Sequence, residues 1–214
     1  GIPDLPRKSI FHALNPRAVG YRVAESMGKK LADCKFIIVH MGGGITIGAH
    51  YMGRVIDVND ALGAYGPMTP DRAGTVHAMD IVKRCFSGKY TEAEMKKMII
   101  GHAGLAAHLG TNNFKEIAER AMSGEKKAAI VSEAMAYQIS CEIGSRAVAM
   151  HGETEAIILT GGMAHSGYLC EMIEKNVSWI APVIRMPGED EMQALCDGVY
   201  RVMSGEEEAK NYVR

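Results

Sequence analysis

Several things are scarce in this chain. No apolar run reaches the roughly 18 residues that cross a bilayer, so no membrane-spanning helix is expected. Charge of either sign is not in excess: 24 Lys+Arg stand against 25 Asp+Glu, a net charge of −1. That removes the basic field a nucleic acid or anionic membrane surface would need, and neither is expected as a partner. The 5 cysteines (Cys34, Cys85, Cys141, Cys170, Cys196) lie far apart with no Cys-x-x-Cys pair. This excludes a cysteine zinc site and a disulfide framework, and suits a reduced, cytoplasmic setting. There is no secretory leader pattern, internal repeat or low-complexity segment. What remains is a 214-residue chain, 47% hydrophobic and 23% charged, enough for one sizeable domain or a domain with an appendage.

The most informative stretch is His40 to His50, His-Met-Gly-Gly-Gly-Ile-Thr-Ile-Gly-Ala-His. Phe36-Ile37-Ile38-Val39 leads into it as a strand. Gly42, Gly43 and Gly44 strip the turn of side chains. Ile45, Ile47 and Ala49 then alternate with Thr46, Gly48 and His50 at strand spacing. Gly53 makes a second turn before Arg54-Val55-Ile56-Asp57-Val58. The reading is a three-stranded meander whose first turn is bare backbone, able to approach a phosphate. Glycines are also ordinary turn residues, and that reading stands beside it.

The rest of the chain is read in order. A helix is expected over residues 16–31, with Ala18, Val19, Val23, Ala24, Met27 and Leu31 as its apolar stripe. Residues 60–75 form a long loop, and helices follow over 76–87 and 92–100, the second with Thr91 and Glu94 as a capping box. Residues 101–113 read as irregular, and 114–122 as a short helix. Residues 125–150 carry the longest helical pattern, with Val131, Met135, Ile139, Ile143 and Ala147 in register. Ala156-Ile157-Ile158-Leu159 is a strand buried on both faces, Gly161-Gly162 ends it, and a helix follows to about Lys175. Residues 179–185 read as an outer strand because Pro182 cannot donate to a ladder. A last helix spans 189–203, with acids in its first turn suited to the helix dipole, and the tail from Ser204 is expected to fray. This order predicts an α/β, RNase H-like domain: a mixed sheet flanked by helices. Residues 1–34 are read as an N-terminal segment and helix at an interdomain region, 35–204 as the nucleotide-binding domain, and 205–214 as a tail.

Ligands of open α/β sheets collect beyond the carboxyl ends of the strands. Gly42–Gly44 and Gly161-Gly162 both occupy such ends, which suggests a nucleotide with phosphates at one and nucleoside at the other. Close helix–strand packing is the plainer account of Gly161-Gly162. Arg72, in the long loop, offers a planar donor fork suited to phosphate, or pairs with Asp71. His40, at a strand end, and His12 are further phosphoryl-handling candidates. Glu189 and Glu191 read first as helix-capping acids, and magnesium reached through water is the alternative.

These motifs together resemble the butyrate kinases, in the acetokinase group of the acetate/sugar kinase, Hsp70 and actin superfamily. The resemblance is carried by Pro6–Asn15, His40–His50, Gly53–Asn59, Cys85–Tyr90, Leu159–Ala164 and Pro187–Met192. It implies an actin-like ATPase domain that moves a phosphoryl group reversibly between ATP and a short-chain carboxylate such as butyrate, giving ADP and an acyl phosphate with Mg2+. It places the related Phe-His motif on Phe11-His12, where the histidine steadies the phosphoryl group in flight. The second phosphate loop falls on His40 to Ile45, with Thr46 beside it. The loop arginine falls on Arg72, the adenosine motif on Gly161-Gly162-Met163-Ala164, and the acidic magnesium contact on Asp190-Glu191. Glycine at 43, isoleucine at 45 and alanine at 164 depart from the acetate-type pattern.

The resemblance also implies two halves closing on the nucleotide. The first half's phosphate loop, second arginine and aspartate are not found here. The chain is therefore expected to be a C-terminal portion, inactive alone, of an enzyme that is at least a dimer. The competing reading is a catalytically incomplete nucleotide-binding or dimerisation module.

Overall fold

The computed structural model describes residues 1–209 and 211. Residues 210 and 212–214 of the expected tail lie outside the described residues. In chain order the elements are α1 (Leu14–Ser26), β1 (Lys35–Met41), β2 (Ile45–Tyr51), β3 (Arg54–Val58), α2 (Ala78–Cys85), α3 (Glu92–Ile99), α4 (Gly104–Leu109), α5 (Phe114–Met122), α6 (Lys126–Ala149), β4 (Ala156–Gly161), α7 (Gly167–Val177), β5 (Val183–Pro187) and α8 (Glu191–Met203). The sheet runs β3-β2-β1-β4-β5. The meander is antiparallel, while β4 lies parallel to β1 and β5 parallel to β4.

The period-2 pattern sorts β1 and β4 onto two buried faces, which is why both read as continuous apolar runs. Ile37, Val39, Ile157 and Leu159 join Ile45 and Ile47 beneath α6, with α5 and α7 completing that layer. Phe36, Ile38, Ala156 and Ile158 face the other way, under Val19, Val23 and Ala24 of α1. Helix α8 packs beside α1.

The structure shifts several expected boundaries. Helix α1 ends at Ser26, because Gly28 at φ +68° turns the chain, and Leu31 sits instead in a 3-10 turn, Leu31–Asp33. The expected irregular segment 101–113 contains α4. Its glycines hide a helix whose first residue, Gly104, packs so closely under Thr69 that a Cβ would overlap Thr69's carbonyl. No α-helix opens at Gly162. A 3-10 turn, Gly162–His165, intervenes, and α7 starts at Gly167 with Ser166 as its cap. Strand β4 runs on to Gly161 because Gly161 and Gly188 exchange backbone hydrogen bonds of 3.0 and 3.1 Å. The tail is tied down through Glu207, whose carboxylate meets Arg17 at 3.1 Å and Arg201 at 3.2 Å.

Candidate active site

Three parallel strands, β1, β4 and β5, end at the same edge of the sheet, and the two glycine corners meet there. Gly161 has φ +87°, and a Cβ on it would lie 2.5 Å from Met41's carbonyl oxygen. The glycine turn after β1 and the glycine corner after β4 are therefore neighbours in space, although some 120 residues separate them in sequence. Within the turn, Gly42 N–H already donates to Gly44's carbonyl at 3.0 Å, and Gly43 is exposed at the apex.

A polar cluster fills the space under this turn. The rings of His12 and His40 stack with centroids 4.3 Å apart. His12 Nδ1 lies 2.8 Å from Thr46 Oγ1. Asn15 and Thr160, both buried, flank His40 from α1 and β4. Glu189, just past β5, brings Oε2 to 3.3 Å from His40 Nε2. Burial holds His40 down at a pKa of about 4, helped by the neighbouring His12. His40 is therefore neutral, and its contact with Glu189 is not a pair of ions. His12 is also pushed below its ordinary value, by burial first and then by the Arg72 guanidinium, while Glu189 and Glu191 pull the other way.

Arg72 reaches the same place from the long loop, which is held rather than free. Thr69 N–H donates to Arg72's carbonyl, Leu105 N–H and Ala106 N–H of α4 donate to Thr69 and Pro70, and Arg72 bridges Ile100. Arg72 Nη1 donates to Ala61's carbonyl. Its Nε is buried without a hydrogen-bond partner, as is Asp71 Oδ1 3.6 Å away. A Cβ on Gly44 would lie 2.5 Å from Arg72 Nη1 and 3.3 Å from His12 Cε1. The bare backbone at Gly44 is thus what admits the guanidinium beside the histidines. Arg72 Nε and Asp71 Oδ1 face each other as an ion pair, so the Arg72–Asp71 pairing that the sequence allowed is present in the fold.

On the other side of the β4 corner lies a cavity of about 830 Å³ between α5 and the turn into α7. Gly162 and Met163 line it, with Asn113, Lys115, Ser166 and Tyr168. A volume of this size suits a nucleoside-sized ligand. Gly161 does not line it; that glycine is buried against β1, and its part is steric. Asp190 caps α8, its Oδ1 accepting from Gln193 N–H at 3.0 Å, and Glu191 is exposed beside it. Among the described residues no three His, Cys, Asp or Glu side chains are grouped as a metal centre. Two exposed carboxylates do fit a magnesium that takes its other ligands from phosphates and water.

Comparisons with known proteins place the chain in a family. A model described as the acetokinase family covers residues 5–178. The chain belongs to the acetokinase family. Two curated relatives, Butyrate kinase 1 and Butyrate kinase 2 of Clostridium acetobutylicum, are each 49% identical over 99% of this chain. The chain spans 60% of the length of these relatives. The solved acetate kinase of Porphyromonas gingivalis superposes with a TM-score of 0.80 at 21% identity, covering 89% of this chain and 54% of that one. The acetokinase likeness thus extends to the fold, an actin-like ATPase domain with a mixed sheet between helical layers.

Asn15, Thr160 and Glu189 are the members of the acetokinase cluster that sequence reasoning did not assign to the cluster. Asn15 sits before Pro16 and looks like a helix-start residue, and Thr160 looks like the end of a strand. The signal for them was register: His40 pairs with Thr160 across β1 and β4, which only the topology reveals.

Proposed function

We propose that the protein of which this chain is part transfers a phosphoryl group reversibly between ATP and a short-chain carboxylate, butyrate by its likeness to the two butyrate kinases, giving ADP and an acyl phosphate. The single observation that carries this is the convergence of Arg72, His12 and His40 on the bare turn at Gly44, one strand away from the Gly162 cavity. Phosphoryl transfer asks for positioning and charge neutralisation more than for covalent chemistry. In this reading Gly162 and Met163 face the nucleoside, while Gly43, Gly44 and Thr46 face the phosphates. Arg72, whose guanidinium reaches the glycine turn, neutralises oxygens on the phosphorus, and His12 and His40 hold them by hydrogen bonds. Asp190 and Glu191 would hold magnesium, which supplies charge neutralisation when bound.

The rest of the relatives' length, some two fifths, supplies the other wall of the cleft, so the chain alone is expected to be inactive. The experiment is a hydroxamate trap for acyl phosphate, with ATP, magnesium and butyrate, on the chain alone and after adding the N-terminal portion of a 49%-identical relative. Acyl phosphate only in the combined sample supports the reading. None in either, with ADP still bound by the chain, supports the second reading, a nucleotide-binding module without catalysis, which the partial span favours. A homo-oligomer belongs to the same proposal: α2 buries no residue and exposes Met79 and Val82, with Phe86 exposed just past its end, and sedimentation of the chain decides it.

A further inference from the structure

Asn15 lies in the first turn of α1, is 3% exposed, and has no place in the chemistry above. Its Nδ2 lies 3.1 Å from His40 Nδ1 and 3.1 Å from Thr160 Oγ1. Thr160 Oγ1 in turn lies 3.1 Å from the carbonyl oxygen of Gly188. A carbonyl only accepts, so the one hydroxyl proton of Thr160 is committed to Gly188, and its oxygen is left to accept. The group of Asn15 that faces Thr160 must then be its NH2 and not its oxygen. The same NH2 faces His40 Nδ1, which must therefore present a lone pair. A neutral imidazole with a lone pair on Nδ1 carries its hydrogen on Nε2. That nitrogen faces an acceptor, Glu189 Oε2, at 3.3 Å, and lies under the glycine turn, 3.7 Å from where a Cβ on Gly42 would be.

We propose that Asn15 is a positioning residue: through a one-way hydrogen-bond chain anchored on Gly188 and Thr160, it holds His40 in the Nε2–H form, an uncharged donor aimed at the glycine turn. That the acceptor is a phosphoryl oxygen rests on the acyl-kinase reading, whereas the choice of ring nitrogen does not. The arrangement ties three strand ends together, since Thr160 precedes the last residue of β4, Gly188 follows β5 and His40 nears the end of β1. A donor fixed in this way needs no proton uptake before it meets an anion.

The test is a long-range proton–nitrogen NMR spectrum of the chain with 15N-labelled histidine at pH 7, with His40 assigned by its loss in His40→Gln. The expected result is hydrogen on Nε2 and none on Nδ1. Hydrogen on Nδ1 overturns the proposal. Asn15→Asp replaces the donor with two acceptor oxygens and should bring hydrogen onto Nδ1; a folded Asn15→Asp chain with an unchanged His40 also overturns it. If that variant does not fold, the wild-type spectrum alone decides. In a complete acyl kinase, Asn15→Asp should lower kcat by about 10- to 100-fold, by analogy with residues that orient metal-ligating histidines. Nε2–H on His40 with no acyl phosphate formed would leave this inference standing and remove the kinase reading. Nδ1–H with acyl phosphate formed would do the reverse.

Discussion

Gly161 and Gly162 are adjacent in sequence, yet alanine at the two positions should have opposite consequences. Gly161 has φ +87° and ψ 175°, a region almost reserved for glycine, where another residue costs about 1–3 kcal/mol. Its added Cβ would also sit 2.5 Å from Met41's carbonyl oxygen and 2.8 Å from Met41's nitrogen. Those are backbone atoms of the central strand, which cannot swing aside as a side chain can, and overpacking of this kind costs about 1–3 kcal/mol more. Together Gly161→Ala should lose roughly 2–6 kcal/mol, a large share of the ~5–15 kcal/mol typical of a domain. Gly162 has no neighbour within 4 Å of an added Cβ. Gly162→Ala should therefore leave stability within about 0.5 kcal/mol of wild type. Gly162 lines the 830 Å³ cavity, however, and a methyl group there occupies space assigned to the nucleoside. Its ADP affinity should fall by about tenfold or more, ~1.4 kcal/mol. Urea unfolding and ADP titration on the same two variants measure both effects. A Gly161→Ala chain as stable as wild type, or Gly162→Ala with undiminished ADP binding, would refute the division of labour drawn between these glycines.

Arg72→Ala should depress acyl phosphate formation in the complete enzyme by about 10²–10³-fold, as expected for removing a donor aimed at developing charge, and near-normal turnover rejects that role. Asp57→Ala should destabilise the chain by about 1–3 kcal/mol in urea, because Arg146, 3% exposed, would lose one of its two carboxylate partners and keep only Glu142. His40 and His50 each titrate at about 4 in the folded chain, both chiefly through burial. The unfolded chain protonates them near 6.5, so between roughly pH 6.5 and 4 it binds more protons, and stability falls as pH falls, by about 1.4 kcal/mol per unit for each histidine. Urea midpoints from pH 7 to 4.5 should show this slope. It should be shallower in His50→Gln, and an equal slope in that variant counts against a buried neutral His50.

The meander, the long helix and the central strand were legible because local periodicity and burial agree in them. Ile45, Ile47 and Ala49 alternate, Met135, Ile139 and Ile143 repeat at helical spacing, and both patterns survive into the packed core. The capping box of Thr91 and Glu94 formed as its spacing requires. Helix α4 was hidden because Gly104 looks like a loop residue, and its glycine is needed only where Thr69 of a distant loop presses against it. The corner at Gly161 looked like a helix opening, but Gly188 pairs with it and extends the strand. The tail looked free, but Glu207 finds Arg17 and Arg201, partners that no short-range pattern names.

The chain's own letters determined which residue types were on hand for phosphate chemistry: three bare glycines in one turn, a loop arginine, and histidines near strand ends. They also set the continuous apolar runs that suit β1 and β4 to the middle of the sheet. Only the folded arrangement decided that the two glycine corners touch, that Gly44 admits Arg72 beside His12, and that Asn15 dictates which nitrogen of His40 carries hydrogen. The reason is geometric. Periodicity records which side of an element is buried, whereas contact between residues 15, 40, 72, 160 and 188 depends on strand order and register, which are settled when the whole sheet assembles.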